Sequence, residues 1–414
     1  MSGRLPHDCF ALPPGIDWTP VDVALERLRT RLAPVTGTER VSLAQAAGRF
    51  LAEDVGARRA NPAAGNSAVD GYGFARAAAT PTMRLVAGRA AAGRPFAGAV
   101  PAGAAVRILT GAALPEGVDT VAMQEDASID GAALTLAALP KAGANTRRAG
   151  EDAAQGQTIL TAGARLRPQD LALLAACGHD GAPVRARLRV GVLSTGDEIE
   201  APGAPAAEHQ VYDANRPMLL AQIAAWGFEA VDLGHAADAP VVVRERLDAG
   251  AAAADVILTS GGASTGDEDH VAALLKAEGL LAVWRIAVKP GRPLAMALWR
   301  GVPVFGLPGN PVAAFVCTLV FGAPALRVLA GGEWRLPRGW MVPAGFAKDK
   351  KRGRREYLRA RLGTEGTAEV FRSEGSGLIS GLTWSDGLVE LPDEGMSIQP
   401  GTPVRYIPYT AFAP

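Results

Sequence analysis

Between residues 187 and 332, short runs of apolar, β-prone residues alternate with helical stretches, and this alternation constrains the fold more than any other feature. The strand-like runs cover residues 189–194, 229–233, 255–259, 281–288, 294–299 and 302–307. Strands that alternate with helices form a mainly parallel sheet covered by helices. We therefore predict a central, mostly parallel α/β sandwich over this region.

Helix starts are marked by capping residues followed by proline. Asn215 is predicted to cap a helix that has Pro217 in its first turn, and Asn310 and Pro311 open a second one. An amphipathic helix is predicted over residues 20–32 with Thr19 as its cap, and another over residues 168–176. The two helices that begin near Asn215 and Asn310 supply partners that the central sheet needs, whereas the other two lie upstream of it.

Two other regions show short strands without a helical period. Residues 82–138 contain such strands between Gly, Pro and Asp turns, and the same pattern returns after Gly332. A chain of 414 residues is too long for one core. We predict a multidomain α/β plus β protein, with an inserted β-domain and a C-terminal β-domain.

The charge balance, the apolar residues and the cysteines limit the kinds of molecule that this protein is expected to bind. Lys plus Arg and Asp plus Glu number 42 each, so the charge expected of a general nucleic-acid or membrane-surface binder is missing. Neither a long uninterrupted apolar stretch nor a signal-peptide core is evident, and we expect a cytoplasmic protein. Cys9, Cys177 and Cys317 are far apart in sequence, which argues against a zinc cage or a disulfide framework.

Polar segments follow the ends of the central strands. The pentapeptide Ser-Thr-Gly-Asp-Glu occurs at residues 194–198 and again at 264–268, and the sequences Lys-Pro-Gly-Arg-Pro and Gly-Leu-Pro-Gly-Asn-Pro occupy 289–293 and 306–311. The carboxyl ends of parallel strands share one edge, where open α/β sheets bind ligands. We therefore expect these segments to converge on one crevice.

The residue types in the crevice suit an anionic ligand and a cation. The backbone of Ser260, Gly261 and Gly262 can approach a phosphate closely, and Lys289 and Arg292 supply positive charge. Hard oxygen ligands for Mg²⁺ are available from Glu198, Asp267 and Asp269. A Walker-type phosphate loop is missing from the sequence, which disfavours ordinary NTPase chemistry.

A simpler interpretation remains open for each segment taken alone. The acids can cap helices, Lys-Pro-Gly-Arg can be a solvated turn, and the proline loop can be purely structural. The same holds for three upstream segments, which contain Asp70, Thr110 and Asp152 and can all be explained as turns.

Taken together, the ordered segments resemble the molybdopterin molybdenumtransferases, the family of MoeA and the gephyrin E-domain. The match runs over nearly the whole chain, and the ordered set is specific although no single segment is. The segments begin at Asn66 (Asn-Ser-Ala-Val-Asp-Gly-Tyr), Leu109 (Leu-Thr-Gly), Arg148 (Arg-Ala-Gly-Glu-Asp), Ser194, Ser260 (Ser-Gly-Gly-Ala-Ser-Thr-Gly-Asp-Glu-Asp), Lys289 and Gly306.

The resemblance implies an elongated homodimer with four domains in each chain. Domain I is helical and extended, domain II is an inserted β-domain, domain III is molybdopterin-binding-like and α/β, and domain IV is β-barrel-like. Their expected bounds are 14–58 with 151–186, 59–150, 187–332 and 333–414.

The resemblance also implies a reaction. Molybdate is inserted into the dithiolene of adenylylated molybdopterin, AMP is released, and Mg²⁺ or a similar divalent cation assists. Contacts with the molybdopterin adenylyltransferase and with apo-molybdoenzymes are possible further partners, and no nucleic acid or membrane is expected.

Site residues carry over one by one from the resemblance. Those expected to be catalytic are Asp70, Asp152, Glu198, Asp269 and Lys289. Those implied to bind substrate are Thr110, Arg285, Arg292, Pro308, Pro311, Arg354 and Ser376. The residue types add Ser260, Gly261 and Gly262 as substrate-binding residues and Glu198, Asp267 and Asp269 as metal ligands. Arg354 and Ser376 rest on a looser alignment, and Ala313 stands where many members have serine. Asp70 and Asp152 are predicted to complete the pocket across a dimer.

Two rival functions stay open at this stage. The first is a molybdopterin adenylyltransferase of related fold, which should need only the central domain. The second is a non-catalytic, gephyrin-like scaffold, which should not need every acidic motif.

Overall fold

The computed structural model describes residues 18–261, 270–278, 280–291 and 293–413. The first part of the chain contains short helices and many short strands. The helices are α1 (Val21–Arg31), α2 (Leu43–Ala46) and α3 (Pro168–Ala176). The strands are β1 (Thr38–Ser42), β2 (Val55–Gly56), β3 (Asn66–Ser67), β4 (Gly71–Phe74), β5 (Thr82–Ala90), β6 (Ala104–Ile108), β7 (Thr120–Met123), β8 (Ala127–Asp130), β9 (Ala133–Leu136), β10 (Thr146–Arg147), β11 (Thr158–Leu160) and β12 (Gly181–Arg185).

Helix α1 forms because its apolar residues recur on one side and are buried there, among them Val21, Leu25 and Leu28. The prediction that Thr19 caps this helix is wrong. Pro20 holds the cap position without a side-chain hydrogen bond. Thr19 is buried instead, and its backbone pairs with the segment around Ile286.

The β-rich part lies between two stretches of chain that pair with each other. Its sheet has the order β7-β4-β6-β5-β9-β8 and buries Phe74, Met83 and Leu134. At its base the antiparallel pairs β3·β10, β2·β11 and β1·β12 bring the two flanking stretches of chain together. This nesting fits an inserted module, although the expected domain bounds stay predictions.

The central part of the chain follows in α/β order. Its strands are β13 (Arg189–Thr195), β14 (Ile199–Glu200), β15 (Val211–Tyr212), β16 (Glu229–Ala236), β17 (Val256–Ser260), β18 (Leu280–Arg285), β19 (Val288–Lys289), β20 (Pro293–Trp299) and β21 (Val302–Leu307). Its helices are α4 (Asn215–Ala225), α5 (Pro240–Ala253), α6 (His270–Glu278), α7 (Pro311–Cys317) and α8 (Ala323–Leu329).

The central sheet is mixed and has the order β16-β13-β17-β21-β20-β18. Strands β16, β13, β17 and β21 are parallel, whereas β20 runs antiparallel to both of its neighbours. Because β20 is antiparallel to both β21 and β18, β18 runs in the same direction as β21. It therefore ends at the same edge as β13, β17 and β21. Alternate side chains enter opposite layers: Val192 and Leu258 face one core, and Leu193 and Ile257 face the other.

Two details of the central region differ from the sequence prediction. The single strand expected over residues 281–288 is divided into β18 and β19, because the chain between them pairs with Thr19 and β19 then joins a different sheet. Asn215 does not cap α4 but is its first residue, and the Asp213 carboxylate accepts the hydrogen bond from the Arg216 backbone N–H at 3.0 Å.

One helical stretch, Pro311–Leu329, is long and apolar enough to cross a membrane. It comprises α7, a π-helical segment over Thr318–Gly322, and α8. In its most apolar window 94% of the residues are buried inside the protein. It packs as a core helix.

The last part of the chain is mainly β. It contains β22 (Trp340–Pro343), β23 (Lys348–Lys350), β24 (Arg355–Leu362), β25 (Ala368–Val370), α9 (Ser380–Trp384), β26 (Gly387–Leu391), β27 (Met396–Ile398) and β28 (Pro403–Pro408). The main sheet has the order β19-β24-β26-β28-β22, so β19 ties the central region to the C-terminal one. The multidomain α/β plus β class is confirmed.

Candidate functional site

The carboxyl ends of the central strands meet at one edge, as the sequence predicts. Ser194 at the end of β13 lies beside Ser260 at the end of β17, and Ser260 lies beside Leu307 at the end of β21. Ser194 and Ser260 are both buried. The Ser-Gly turn and the proline loop therefore start from adjacent strand ends.

Asn215 connects these two segments. Its side-chain amide donates to Ser260 Oγ at 2.7 Å and to the Gly309 carbonyl at 2.6 Å. The residue is 7% exposed, and within the described part of the chain its Oδ1 atom has no hydrogen-bond partner. Sequence reasoning treated Asn215 only as a helix cap and missed this role. The only feature of the sequence that could have indicated this role is the position of Asn215 in the first turn of a helix, near the edge of the sheet where ligands bind.

Gly261 is required by a close approach of two strand ends. Its φ is +96°, and a Cβ atom there would lie 2.8 Å from Thr195 Oγ1 and 3.0 Å from the Thr195 carbonyl oxygen. Glycine alone meets both conditions without strain. The Ser260–Gly261 turn is thus held against the end of β13.

The turn that contains Lys289, Pro290 and Gly291 packs against the proline loop rather than standing free. A Cβ atom on Gly291 would lie 2.9 Å from Cys317 Sγ and 3.3 Å from Pro308 Cγ. The turn therefore touches both the loop that precedes α7 and α7 itself. This contact disfavours the interpretation as an ordinary solvated turn.

Beyond this turn lies a cavity of about 230 Å³ between the central and C-terminal regions. Its lining includes four cationic side chains: Lys289, Lys348, Arg359 and Arg372. The Lys289 ammonium donates to Glu374 Oε2 at 2.5 Å, and Lys348 pairs with the other oxygen of Glu374. Burial raises the pKa of Glu374, but the hydrogen bonds from the two lysines outweigh it and leave the pKa below its ordinary value.

Arg359 fixes the loop that closes this cavity. It is 4% exposed, donates to the carbonyl oxygens of Leu378, Ser373 and Gly375, and lies over the Phe371 ring. Within this loop the Ser376 carbonyl accepts a hydrogen bond of 3.1 Å from the Val312 N–H in the first turn of α7.

The two site residues predicted in the C-terminal region, Ser376 and Arg354, differ in whether the structure places them near the cavity. Ser376 contacts the start of the helix that Pro311 opens, through its backbone. Of the described arginines here, Arg359 and Arg372 line the cavity and Arg354 does not. Sequence reasoning missed Arg359, because an arginine inside a strand gives no motif signal.

The predicted carboxylate group is described only in part. Glu198 is exposed and folds back over Gly196, where a Cβ atom would lie 2.4 Å from Glu198 Oε2. Four predicted residues, Gly262, Asp267, Asp269 and Arg292, lie outside the described residues. Among the residues that are described, no three His, Cys, Asp or Glu side chains cluster as metal ligands would.

Other predicted residues lie at the base of the inserted sheet. Asp70 Oδ1 accepts hydrogen bonds from the Thr110 N–H at 2.7 Å and from the Thr110 hydroxyl at 2.8 Å. These bonds, the backbone one first, lower the pKa of Asp70. Asp152 accepts a hydrogen bond of 2.8 Å from the Asn61 amide, and Arg147 pairs with Asn66 across β10 and β3.

The described site residues thus lie in two regions of the structure. The strand-end group holds Ser260, Gly261, Lys289, Pro308 and Pro311, with Arg285 exposed at the end of β18. The base group holds Asp70, Thr110 and Asp152. Within the described ranges, no hydrogen bond or ion pair connects Asp70 or Asp152 to the strand-end group.

Family profiles match three successive parts of the chain. Residues 19–178 match the MoeA N-terminal region (domain I and II), and residues 191–328 match a probable molybdopterin binding domain. Residues 342–409 match the MoeA C-terminal region (domain IV). The matched segments contain both groups of predicted site residues.

Individual proteins agree with these profiles. The chain is 35% identical over 396 residues to the molybdopterin molybdenumtransferase of Haemophilus influenzae, a match that covers 94% of this chain and 98% of that protein. It is 33% identical to the protein of that name from Synechococcus elongatus, with 92% and 97% covered. The crystal structure of the molybdopterin biosynthesis MoeA protein from Pyrococcus horikoshii OT3 superposes with a TM-score of 0.81 at 26% identity, covering 95% and 100% of the two chains. This chain therefore belongs to the molybdopterin molybdenumtransferase family.

Proposed function

We propose that this chain inserts molybdate into the dithiolene of adenylylated molybdopterin and releases AMP. Family membership supports an enzyme of molybdenum cofactor biosynthesis that inserts molybdenum. The observation that carries the finer proposal is the meeting of the Ser260 turn, the proline loop and the Lys289 turn beside a cavity with four cationic side chains.

The cavity suits the oxyanion. Molybdate is a tetrahedral dianion, and the two ammonium groups together with the Arg372 guanidinium provide donors for several of its oxygens, while Arg359 holds the adjoining loop. Lys289 and Lys348 already share one carboxylate there, which shows that their amino groups can reach a common anion. Ser376 and its loop close the cavity beside the start of α7.

The strand-end turn suits the phosphates of the adenylylated pterin. The backbone at Ser260 and Gly261 follows a strand end, where open α/β sheets bind ligands, and Gly261 is held there against the end of β13. We assign Gly262, Arg285, Arg292, Pro308 and Pro311 to the same substrate surface.

Mg²⁺ is part of the proposal. The exposed carboxylate of Glu198 is a hard oxygen donor that fits this ion, and Asp267 and Asp269 would supply the others. When bound, the ion offsets the charge of the pyrophosphate group and of the departing AMP.

The base group enters the site through a second subunit in this proposal. Asp70, Thr110 and Asp152 carry the family's acidic and hydroxyl positions but make their contacts at the base of the inserted sheet. We propose a homodimer in which these residues complete the strand-end group of the partner. The cytoplasmic location and the contacts with other proteins stay predictions.

A reconstituted assay tests the function. Purified protein is incubated with adenylylated molybdopterin, molybdate and Mg²⁺, and active cofactor is measured by activation of an apo-molybdoenzyme. We expect cofactor formation that depends on molybdate. Cofactor formation at the uncatalysed rate would contradict the proposal.

The same protein tests the rivals. Incubation with MgATP and molybdopterin should not accumulate adenylylated molybdopterin, as an adenylyltransferase would. An Asp269→Asn variant that leaves cofactor synthesis unchanged would revive the scaffold. The profile matches on both sides of the central domain favour neither rival.

A further inference from the structure

The carboxylate of Glu374 lies where the cavity presents its two lysines. Its Oε2 atom accepts from Lys289 Nζ at 2.5 Å, and its Oε1 atom pairs with Lys348 Nζ. Two oxygens of one anion thus bridge two ammonium groups. Two oxygens of a tetrahedral oxyanion would make the same bridge.

Of the two carboxylates that contact Lys289 and Lys348, Glu374 is the one that a bound anion can replace. Its side chain is 43% exposed and belongs to a loop, whereas the side chain of Glu356 is 9% exposed and belongs to strand β24. Glu356 also contacts both lysines, at 3.6 Å from Lys289 and 3.2 Å from Lys348. The lysines would therefore keep one carboxylate neighbour if Glu374 turned away.

Arg359 places Glu374 over the lysines. Its guanidinium donates to the carbonyl oxygens of Ser373 and Gly375, the residues on either side of Glu374. Those bonds hold the backbone and leave the Glu374 side chain free to rotate toward solvent. The displacement of Glu374 therefore does not require the loop to unfold.

We propose that Glu374 is an internal competitor for the oxyanion: it occupies the position between Lys289 and Lys348 in the free enzyme, and molybdate displaces it. This inference rests on the proposed function, because molybdate is the substrate of that reaction. The consequence is a lower affinity for molybdate than the four cationic side chains would otherwise give.

Isothermal titration calorimetry with sodium molybdate measures molybdate affinity and so tests whether Glu374 competes with molybdate for the two lysines. Replacement by glutamine in Glu374→Gln removes the competing charge, and we expect about fivefold tighter binding, since a partly exposed ion pair of this kind contributes about 1 kcal/mol. Glu374→Asp keeps the charge on a shorter side chain and should fall between the two. Lys289→Ala should bind molybdate more weakly than the wild type.

Glu369→Gln is the matched control. Glu369 forms an ion pair of 2.9 Å with Arg361 in the same part of the chain, and its side chain is 42% exposed. Loss of this pair should leave molybdate affinity unchanged. The comparison separates the loss of a competing carboxylate from the loss of any surface ion pair.

The outcomes separate the two claims. Unchanged or weaker binding by Glu374→Gln would overturn the competitor and would make Glu374 a residue that positions Lys289. Tighter binding by Glu374→Gln, combined with no cofactor formation by the wild-type protein in the reconstituted assay, would support Glu374 as a competitor for oxyanions and would overturn the proposed reaction. If neither Glu374→Gln nor Lys289→Ala changes binding, the cavity is not the oxyanion site. The competitor is then overturned, while the proposed reaction is judged separately by the reconstituted assay.

Discussion

The strand-end group and the base group are built in different ways. At the strand ends, side chains far apart in sequence are buried against one another, as when the Asn215 amide reaches Ser260 and Gly309. At the base of the inserted sheet, the Asp70 carboxylate is satisfied by Thr110 at an exposed surface. The first group is assembled within one chain, whereas the carboxylates of the second are proposed to act once a second subunit covers them.

The sharpest way to break this comparison is subunit mixing. An Asp70→Asn subunit and an Asp269→Asn subunit should each form inactive homodimers, because each lacks one half of the proposed site. A mixed dimer would contain one intact site and should recover activity, measured as cofactor formation after co-expression with two affinity tags. Mixed dimers as inactive as their parents would confine each site to a single chain.

Loss of the lysine should have the next largest effect. Lys289→Ala removes a donor that the proposed site aims at the oxyanion, and we expect the rate of cofactor formation to fall about 100-fold. The control is Lys351→Ala, which removes an exposed lysine near the same region but outside the cavity lining. Equal rates for the two variants would exclude Lys289 from the reaction.

Glycine substitutions sharpen the contrast in packing. Gly261→Ala places a methyl group 2.8 Å from Thr195 Oγ1 at a φ of +96°, and we expect a loss of about 3 kcal/mol in the free energy of unfolding. Gly143→Ala, near the inserted sheet, has a similar φ of +77° but open space around it. It should cost only about 1 kcal/mol. Urea unfolding measures both, and equal losses would mean that close packing at the strand ends contributes nothing.

The smallest effect concerns the titration of Asp70. Its pKa in the folded protein lies below the ordinary value of 3.8, so the Thr110 bonds stabilise the fold above that pH. Their contribution is lost as the pH falls through the lowered pKa. Thr110→Val removes the hydroxyl bond but keeps the backbone bond, so the pKa should rise and yet stay below its ordinary value. NMR titration of the carboxyl carbon measures it, and an unchanged pKa would show that the hydroxyl has no part in it.

Local patterns in the sequence predicted the elements well and the contacts between them poorly. The apolar period identified α1 over nearly its full length, and the strand-end motifs identified the edge where Ser194, Ser260 and Leu307 meet. Both depend on the periodicity of a single element and on the shared direction of parallel strands.

The misses involve partners that are remote in sequence. Asn215 bonds with residues 45 and 94 positions away, so its amide could not be distinguished from that of an ordinary cap. Thr19 does not cap α1 because its backbone pairs with Ile286, just after β18. Strand β19 is not part of the central sheet because it pairs with β24 of the C-terminal sheet. Arg359 was overlooked because its role depends on the carbonyl oxygens of a loop that only tertiary structure brings to it.

The most direct test of the central claim counts AMP against molybdenum. Purified protein is given adenylylated molybdopterin and Mg²⁺ with and without molybdate, and AMP is quantified by chromatography beside the molybdenum retained in the pterin. We predict one AMP for each molybdenum inserted and almost none without molybdate. Release of AMP at the same rate without molybdate would contradict the account, since hydrolysis would then be independent of the oxyanion.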